Sequence, residues 1–219
     1  LFMINSLAQI ESTGCDLPHT RRGLERRMAL LLSANTLFLK HGYDAVSLDD
    51  IVQHAGGSKT SIYKYFGNKD GLFSAICDYR RELFFKDICS SHDPATFDLK
   101  SYLINTLFNF YAHIKLPENV AFIHLVMEQA QRNSELALNI HQKGPKEIQA
   151  AIAIALKNAH NNGVIVCEQP LHSAQFFFGI LRNIEWQIIM GIPITETDEE
   201  ITNYITYCVE RFLDAHQKV

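Results

Sequence analysis

A short polar segment held between glycines constrains this chain more than any other feature. Gly56-Gly57 precedes it, Gly67 follows it, and the run between, Ser58 to Phe66, reads SKTSIYKYF. Only Ile62 and Phe66 are strongly apolar; the rest are hydroxyls, lysines and tyrosines. A helix this short does not hold itself together in water, because nucleating the first turn costs more than its few hydrogen bonds return. It persists only if its narrow apolar edge packs on neighbouring elements. Its polar face then carries donors directed at something outside the protein.

The flanking segments supply those neighbours. Leu24, Met28, Leu31, Leu32 and Phe38 recur at helical spacing up to His41-Gly42, with Gly42 placed to end the helix. Ser47-Leu48-Asp49-Asp50 has the S-x-x-D form of a capping box and opens a helix Leu48–Ala55, with Leu48, Ile51, Val52 and Ala55 on one face. Ser58 is placed to cap the short helix Lys59–Phe66. Asn68 is placed to cap a longer one with Leu72, Phe73, Ile76, Cys77, Leu83, Phe84 and Ile88 on its apolar side. Asp93-Pro94 marks its end, since proline disfavours helix in the residue before it. Helices over Phe97–Lys115, Pro117–Arg132, Ser134–Asn162, Pro170–Met190 and Thr197–Gln217 follow, the third of them kinked or split at Lys143-Gly144-Pro145. Val164–Cys167 is the one candidate strand. The expected class is all-α.

Charge is unevenly spread. The net over 219 residues is −4, yet residues 19–80 hold nine Lys/Arg against six Asp/Glu, while residues 81–219 hold 11 against 16. The basic side is the side with the short polar helix, which suits nucleic-acid contact there. Five scattered cysteines without a CxxC pair suggest reduced thiols and a cytoplasmic setting. No apolar stretch reaches membrane-spanning length. Residues 1–18 lack the pattern of a signal peptide and read as a loose arm.

Two short helices joined by a glycine turn follow the helix-turn-helix plan, in which the second helix enters the major groove. Leu48, Ile51, Ala55, Ile62 and Phe66 would pack inward, leaving Lys59, Thr60, Ser61, Tyr63 and Lys64 pointing out.

From Ala34 to Phe73 the sequence resembles the tetracycline-repressor (TetR) family of bacterial transcription regulators. The resemblance is carried by Ala34, Phe38, Gly42-Tyr43, Ser47-Leu48, Ile51, Ala55-Gly56-Gly57-Ser58-Lys59, Ile62-Tyr63-Lys64-Tyr65-Phe66-Gly67-Asn68-Lys69 and Leu72-Phe73. Asn35 stands where the family usually has alanine, and Gly57 where it usually has valine; both are packing positions. The resemblance implies that Tyr63 and Lys69 bind backbone phosphates and that Ser47 adds a phosphate contact, although its capping role explains it without DNA. Lys59, Thr60 and Lys64 are the candidates for base edges, with Ser58 and Ser61 beside them. Tyr65 is either a phosphate contact or a core residue.

The resemblance further implies that the C-terminal part binds a small effector and forms a homodimer. The stretch from Phe122 onward is similar to the AefR-like subgroup in E-x-A, Gly144-Pro145, Gly163, Phe178-Gly179 and Phe212-Leu213. The segment Pro170–Met190 is apolar nearly all round, which asks for burial on several sides. A seam formed by Phe177, Leu181, Ile184, Ile188, Ile205, Val209 and Phe212 would provide it. A pocket needs apolar walls with a few polar groups, and Tyr102, Thr106, Phe110, His124, Met127, Phe177 and Trp186 are candidates for its lining.

The expectation is therefore a regulator with an arm over 1–18, a helix-turn-helix domain over 19–67, and a helical effector-binding and dimerisation domain over 68–219. It is expected to bind palindromic operator DNA as a homodimer and to be released by a small apolar or aromatic effector, with no membrane partner. No cofactor, metal or catalytic residue is expected. A ligand-independent DNA-binding regulator and a helical enzyme are the alternatives.

Overall fold

The computed structural model describes residue 18, residues 20–88 and residues 98–217, the side chains of 86–88 excepted. The N-terminal arm, apart from residue 18, lies outside the described residues, as do Cys15, Cys89 and Phe97. The chain divides into two compact units, Leu1–Leu83 and Phe84–Val219.

In the first unit, α1 (Arg21–His41) starts where the Thr20 hydroxyl accepts the Gly23 N–H at 3.1 Å. It thus begins three residues before the apolar periodicity does. α2 (Leu48–Ala55) and α3 (Lys59–Phe66) have the bounds that the sequence predicts. α4 (Lys69–Ile88) is capped by the Asn68 side chain, which accepts the Gly71 N–H at 2.7 Å. Leu30, Leu31 and Ala34 of α1, Ile51 of α2, Ile62 of α3 and Leu72 of α4 have no exposed surface. Full burial of the leucines and isoleucines among them stabilises by roughly 1.5–3 kcal/mol each. This common core is what holds the eight-residue α3. Phe38, Tyr43 and Phe73 close it with ring centroids 5.1–6.0 Å apart.

Gly71 is required by close approach: a Cβ there would lie 1.9 Å from the Phe66 carbonyl oxygen. Gly67, at φ +76°, turns the chain from α3 into α4 in a conformation that side chains other than glycine rarely adopt. Asn35 has a partner of its own, accepting a hydrogen bond from Arg80 Nη1 of α4 at 3.1 Å.

The second unit contains the last turn of α4 and seven further helices among the described residues: α5 (Leu99–Ile114), α6 (Pro117–Arg132), α7 (Ser134–Lys143), α8 (Pro145–Asn161), α9 (Pro170–Phe178), α10 (Arg182–Ile189) and α11 (Asp198–Asp214). Proline opens α6, α8 and α9, where its missing N–H costs nothing. α5 packs on α11, and α8 on α9. Their shared core includes Leu103, Leu107, Ile152, Leu156, Phe177, Leu181, Ile205 and Val209.

Three expectations change. The apolar segment Pro170–Met190 is two helices, because the chain turns at Gly179 and resumes at Arg182. Val164–Cys167 is not a strand: its Val166 N–H donates to the carbonyl of His216, just beyond the end of α11, at 2.7 Å. The compact units divide after Leu83 rather than before Asn68. The reason is that Leu72, Phe73, Ala75 and Ile76 of α4 are buried with the first unit's helices.

Candidate nucleic-acid interface

α2 is fixed by a complete capping box. The Ser47 hydroxyl accepts the Asp50 N–H at 3.2 Å, and the Asp50 carboxylate takes the Ser47 N–H at 2.7 Å and hydroxyl at 2.6 Å. These bonds, the side-chain one first, hold the Asp50 carboxyl below its usual range. The cap therefore occupies Ser47 with local work. Gly56-Gly57 turns the chain, and Ser58 caps α3 by accepting the Ser61 N–H at 3.2 Å. The Ser61 hydroxyl lies 3.1 Å from that of Ser58, so the two serines satisfy one another.

α3 buries one edge and exposes the other. Ile62 and Phe66 point into the core, and the Arg27 guanidinium lies 5.0 Å from the centre of the Phe66 ring. Lys59, Thr60, Tyr63 and Lys64 are exposed. Tyr65 is half-buried with its ring edge-on to Phe66 at 6.3 Å, which makes it a packing residue that keeps one side in solvent. The Lys59 ammonium lies 2.8 Å from the Asp49 carboxylate of α2.

Lys69 sits at the start of α4. Its ammonium donates to the Tyr43 carbonyl at 2.6 Å and lies over the Tyr43 ring at 4.2 Å. Burial lowers its pKa. The Tyr43 hydroxyl donates to Asp70, and burial, followed by that bond, raises the tyrosine's pKa far above its ordinary value. Sequence pattern missed Asp49, Arg27 and the Tyr43–Asp70 pair. Each acts across a turn or between helices, so no short spacing announces it.

The second unit contains a cleft of about 550 Å³. Its walls are Pro117, Val120 and Ala121 of α6, Ile188 of α10, and Ile192 and Ile194 beyond it, with Tyr111, Lys115, His124 and Glu196 adding polar groups. Lys115 is already paired, with Asp198 oxygens at 2.6 and 2.7 Å. His124 Nε2 lies 2.7 Å from the Ile189 carbonyl.

Of the pocket candidates, only His124 lines this cleft. Phe110 and Phe177 are buried core residues, and the Thr106 hydroxyl is spent on the Tyr102 carbonyl within α5 at 2.8 Å. Tyr102 packs half-buried on the core, while Met127 and Trp186 face solvent. The seam candidates change likewise. Phe177, Leu181, Ile205 and Val209 have no exposed surface, and Ile188 and Phe212 are buried, all within the unit's own core. Ile184 packs half-buried against it. The exposed aromatics of α9 and α11 are instead Phe176, at 70% exposure, Tyr207, at 60%, and Tyr204.

Among the described residues no group of three or more His, Cys, Asp or Glu side chains could hold a metal ion. None of their helices is long and apolar enough to cross a membrane.

The chain is a glycine-bounded helix-turn-helix followed by an all-helical unit. Residues 30–76 match the family of bacterial regulatory proteins called tetR, and residues 102–218 match the AefR-like transcriptional repressor C-terminal domain, so the chain belongs to the TetR family. Its members are transcription regulators and not enzymes. The HTH-type transcriptional repressor ComR of Escherichia coli K12 is 34% identical over 88 residues, 40% of either chain. The transcriptional activator FasR of Mycolicibacterium smegmatis is 40% identical over 52 residues, 24% of either chain. The chain thus spans well under half the length of these curated relatives. Among solved structures, a TetR-family regulator from Mesorhizobium loti matches at TM-score 0.80 and 22% identity, over 91% of this chain and all of that one. The flavonoid-responsive regulator FrrA matches at TM-score 0.75 and 25% identity, over 88% and 97%.

Proposed function

We propose that the chain is a homodimeric repressor that reads a palindromic operator with α3 and leaves it on binding a small, mainly apolar molecule. The observation that carries this reading is the exposed edge of α3. Lys59, Thr60, Tyr63 and Lys64 form a polar face on a helix whose other side is buried. The major groove, about 12 Å wide, admits one such helix. Lys59, Thr60 and Lys64 are assigned to base edges, and Tyr63 and Lys69 to phosphates. Ser47, Ser58 and Ser61 act chiefly as caps that set the angle of the two helices.

A palindrome needs two reading helices related by two-fold symmetry. The exposed Phe176, Tyr204 and Tyr207 are the apolar surface on α9 and α11 that a second copy would cover. The effector is assigned to the cleft beside Val120 and Ile188. Its walls are mainly apolar and its lysine is already neutralised by Asp198, while the Glu196 carboxylate on the rim disfavours an anion, which together favour a mainly apolar molecule without negative charge. The flavonoid response named for FrrA supports a small-molecule signal of this kind.

Selection of bound duplexes from a random pool tests the reading. A recovered inverted repeat is expected, with Lys59→Ala relaxing one position per half-site at a cost of about 1–3 kcal/mol. Recovery of no preferred sequence overturns it.

A further inference from the structure

We infer that Asp49 is a positioning residue for Lys59: it holds the lysine's ammonium while the protein is free or loosely docked, and yields it only where a base edge offers a better partner. The inference rests on reading α3 as the DNA-reading helix.

The two acidic residues at the start of α2 have different work. Asp50 is spent on the capping box, where it takes both the N–H and the hydroxyl of Ser47. Asp49 takes the Lys59 ammonium across the turn at 2.8 Å. Lys59 is the first residue of α3, and the first turn of α3 has no acidic residue. A cation there opposes the positive end of the helix dipole. Asp49 supplies the missing negative charge from the neighbouring helix, and its bond to Lys59 is the main reason the lysine's pKa is raised.

Both side chains remain exposed, 48% for Lys59 and 73% for Asp49. An exposed pair is weak and opens readily for a better partner. A guanine edge, with two acceptors at fixed positions, is such a partner. A phosphate met at random is a poorer one, because the Asp49 carboxylate beside it is repelled by the backbone charge. Asp49 thereby weakens loose docking more than it weakens operator binding, and the ratio of the two is specificity.

The test uses the full chain with two labelled duplexes of equal length, one selected from a random pool and one of random sequence, over a series of salt concentrations. Asp49→Asn is expected to raise affinity for the random duplex by about two- to fivefold, the span an exposed pair allows. Affinity for the selected duplex rises less, so the ratio falls. The salt slope on the random duplex steepens by about 0.9, one added phosphate contact. Asp49→Glu retains the pair and restores the ratio. In a Lys59→Ala background, Asp49→Asn has no effect on the ratio. If Asp49→Asn melts early, Asp49→Ser, which keeps an acceptor in the first turn of α2, takes its place. Equal gains on both duplexes, or the same gain without Lys59, overturn the inference in favour of general repulsion. A wild-type protein that discriminates while Asp49→Asn leaves the ratio unchanged sinks the inference alone. A wild-type protein that binds neither duplex sinks the reading of α3 as well.

Discussion

Lys69 is tied to Tyr43 twice: its ammonium donates to the tyrosine's carbonyl at 2.6 Å and rests 4.2 Å from the centre of its ring. The Tyr43 hydroxyl is in turn bonded to Asp70, the residue after Lys69. The start of α4 and the turn after α1 are thereby locked together around one lysine. An ammonium has three donors, so one bond to a carbonyl leaves Lys69 able to meet a phosphate from a fixed position.

Lys69→Ala is therefore expected to show two losses. The first unit loses on the order of 1 kcal/mol of stability, the worth of one such hydrogen bond. DNA affinity falls about equally for all sequences, with the salt slope reduced by about 0.9. Denaturation midpoints and salt titrations measure the two separately. Loss of stability with an unchanged salt slope would restrict Lys69 to a structural role.

The glycines give a contrast. A Cβ at Gly71 meets the Phe66 carbonyl oxygen at 1.9 Å, whereas one at Gly57 meets Arg26 Nη1 at 3.5 Å and Leu30 Cδ2 at 3.7 Å, ordinary contact distances. Gly57→Ala is expected to stabilise by roughly 0.4–1 kcal/mol through the unfolded chain's lost freedom. Gly71→Ala forces α3 and α4 apart and should abolish DNA binding. Thermal melts of both variants decide the point; equal melting temperatures would contradict it.

How far the sequence could be read follows from the range of its signals. The caps at Ser47, Ser58 and Asn68 and the turns at Gly56 and Gly67 are local chemistry, and α2 and α3 fall where those residues direct. Phe177, Leu181 and Val209 show the limit. Apolar periodicity says that a side chain will be covered, not whether its own chain or a second copy covers it. The break at Gly179 was hidden because apolar residues continue on both sides of it. Thr106 looked like a pocket group, but its hydroxyl is satisfied one turn back in its own helix. The Asp49–Lys59 pair joins two helices across a turn and has no signature in spacing.

The capping box makes α2 acid-sensitive. Because Ser47 lowers the Asp50 pKa from 3.8, the folded protein binds fewer protons than the unfolded chain as that carboxyl titrates. The stabilisation is fully present above the unfolded value and is lost as pH falls through the folded one. Urea midpoints measured from pH 5 to pH 2 should fall less steeply in Asp50→Asn, which keeps an acceptor but has no proton to gain. Parallel curves for the two proteins would remove Asp50 from the account.

Core and surface variants of the helices assigned to the seam should separate. Leu181→Ala opens a cavity at a fully buried site and is expected to cost about 2–5 kcal/mol. Phe176→Glu and Tyr207→Glu place charge on exposed positions and should leave stability within about 0.5 kcal/mol. Light scattering is expected to show a dimer for the wild type and monomers for the two glutamate variants, with weakened operator binding. A wild-type monomer that binds the operator tightly would rule out the dimer.

Control by the cleft needs a route to α3, and the chain offers one through α4. Phe84, near its end, packs on Phe110 at 6.1 Å and on His113 at 4.5 Å, and these α5 residues flank Tyr111 of the cleft wall. Leu72, Phe73 and Ile76, nearer its start, are buried in the first unit. A molecule that wedges between Tyr111 and Ile188 would move α5 and, through Phe84, the far end of α4. A tenfold loss of DNA affinity requires about 1.4 kcal/mol of coupling, and DNA must weaken the molecule's binding by the same factor. A thermal-shift screen of uncharged lipophilic and aromatic compounds, run with and without the selected duplex, is expected to find compounds that stabilise the free protein more than the DNA-bound one. Ala121→Trp, which fills the cleft from its α6 wall, should abolish that shift. A compound whose shift survives Ala121→Trp binds elsewhere, and a screen in which DNA never diminishes the shift removes the cleft from control.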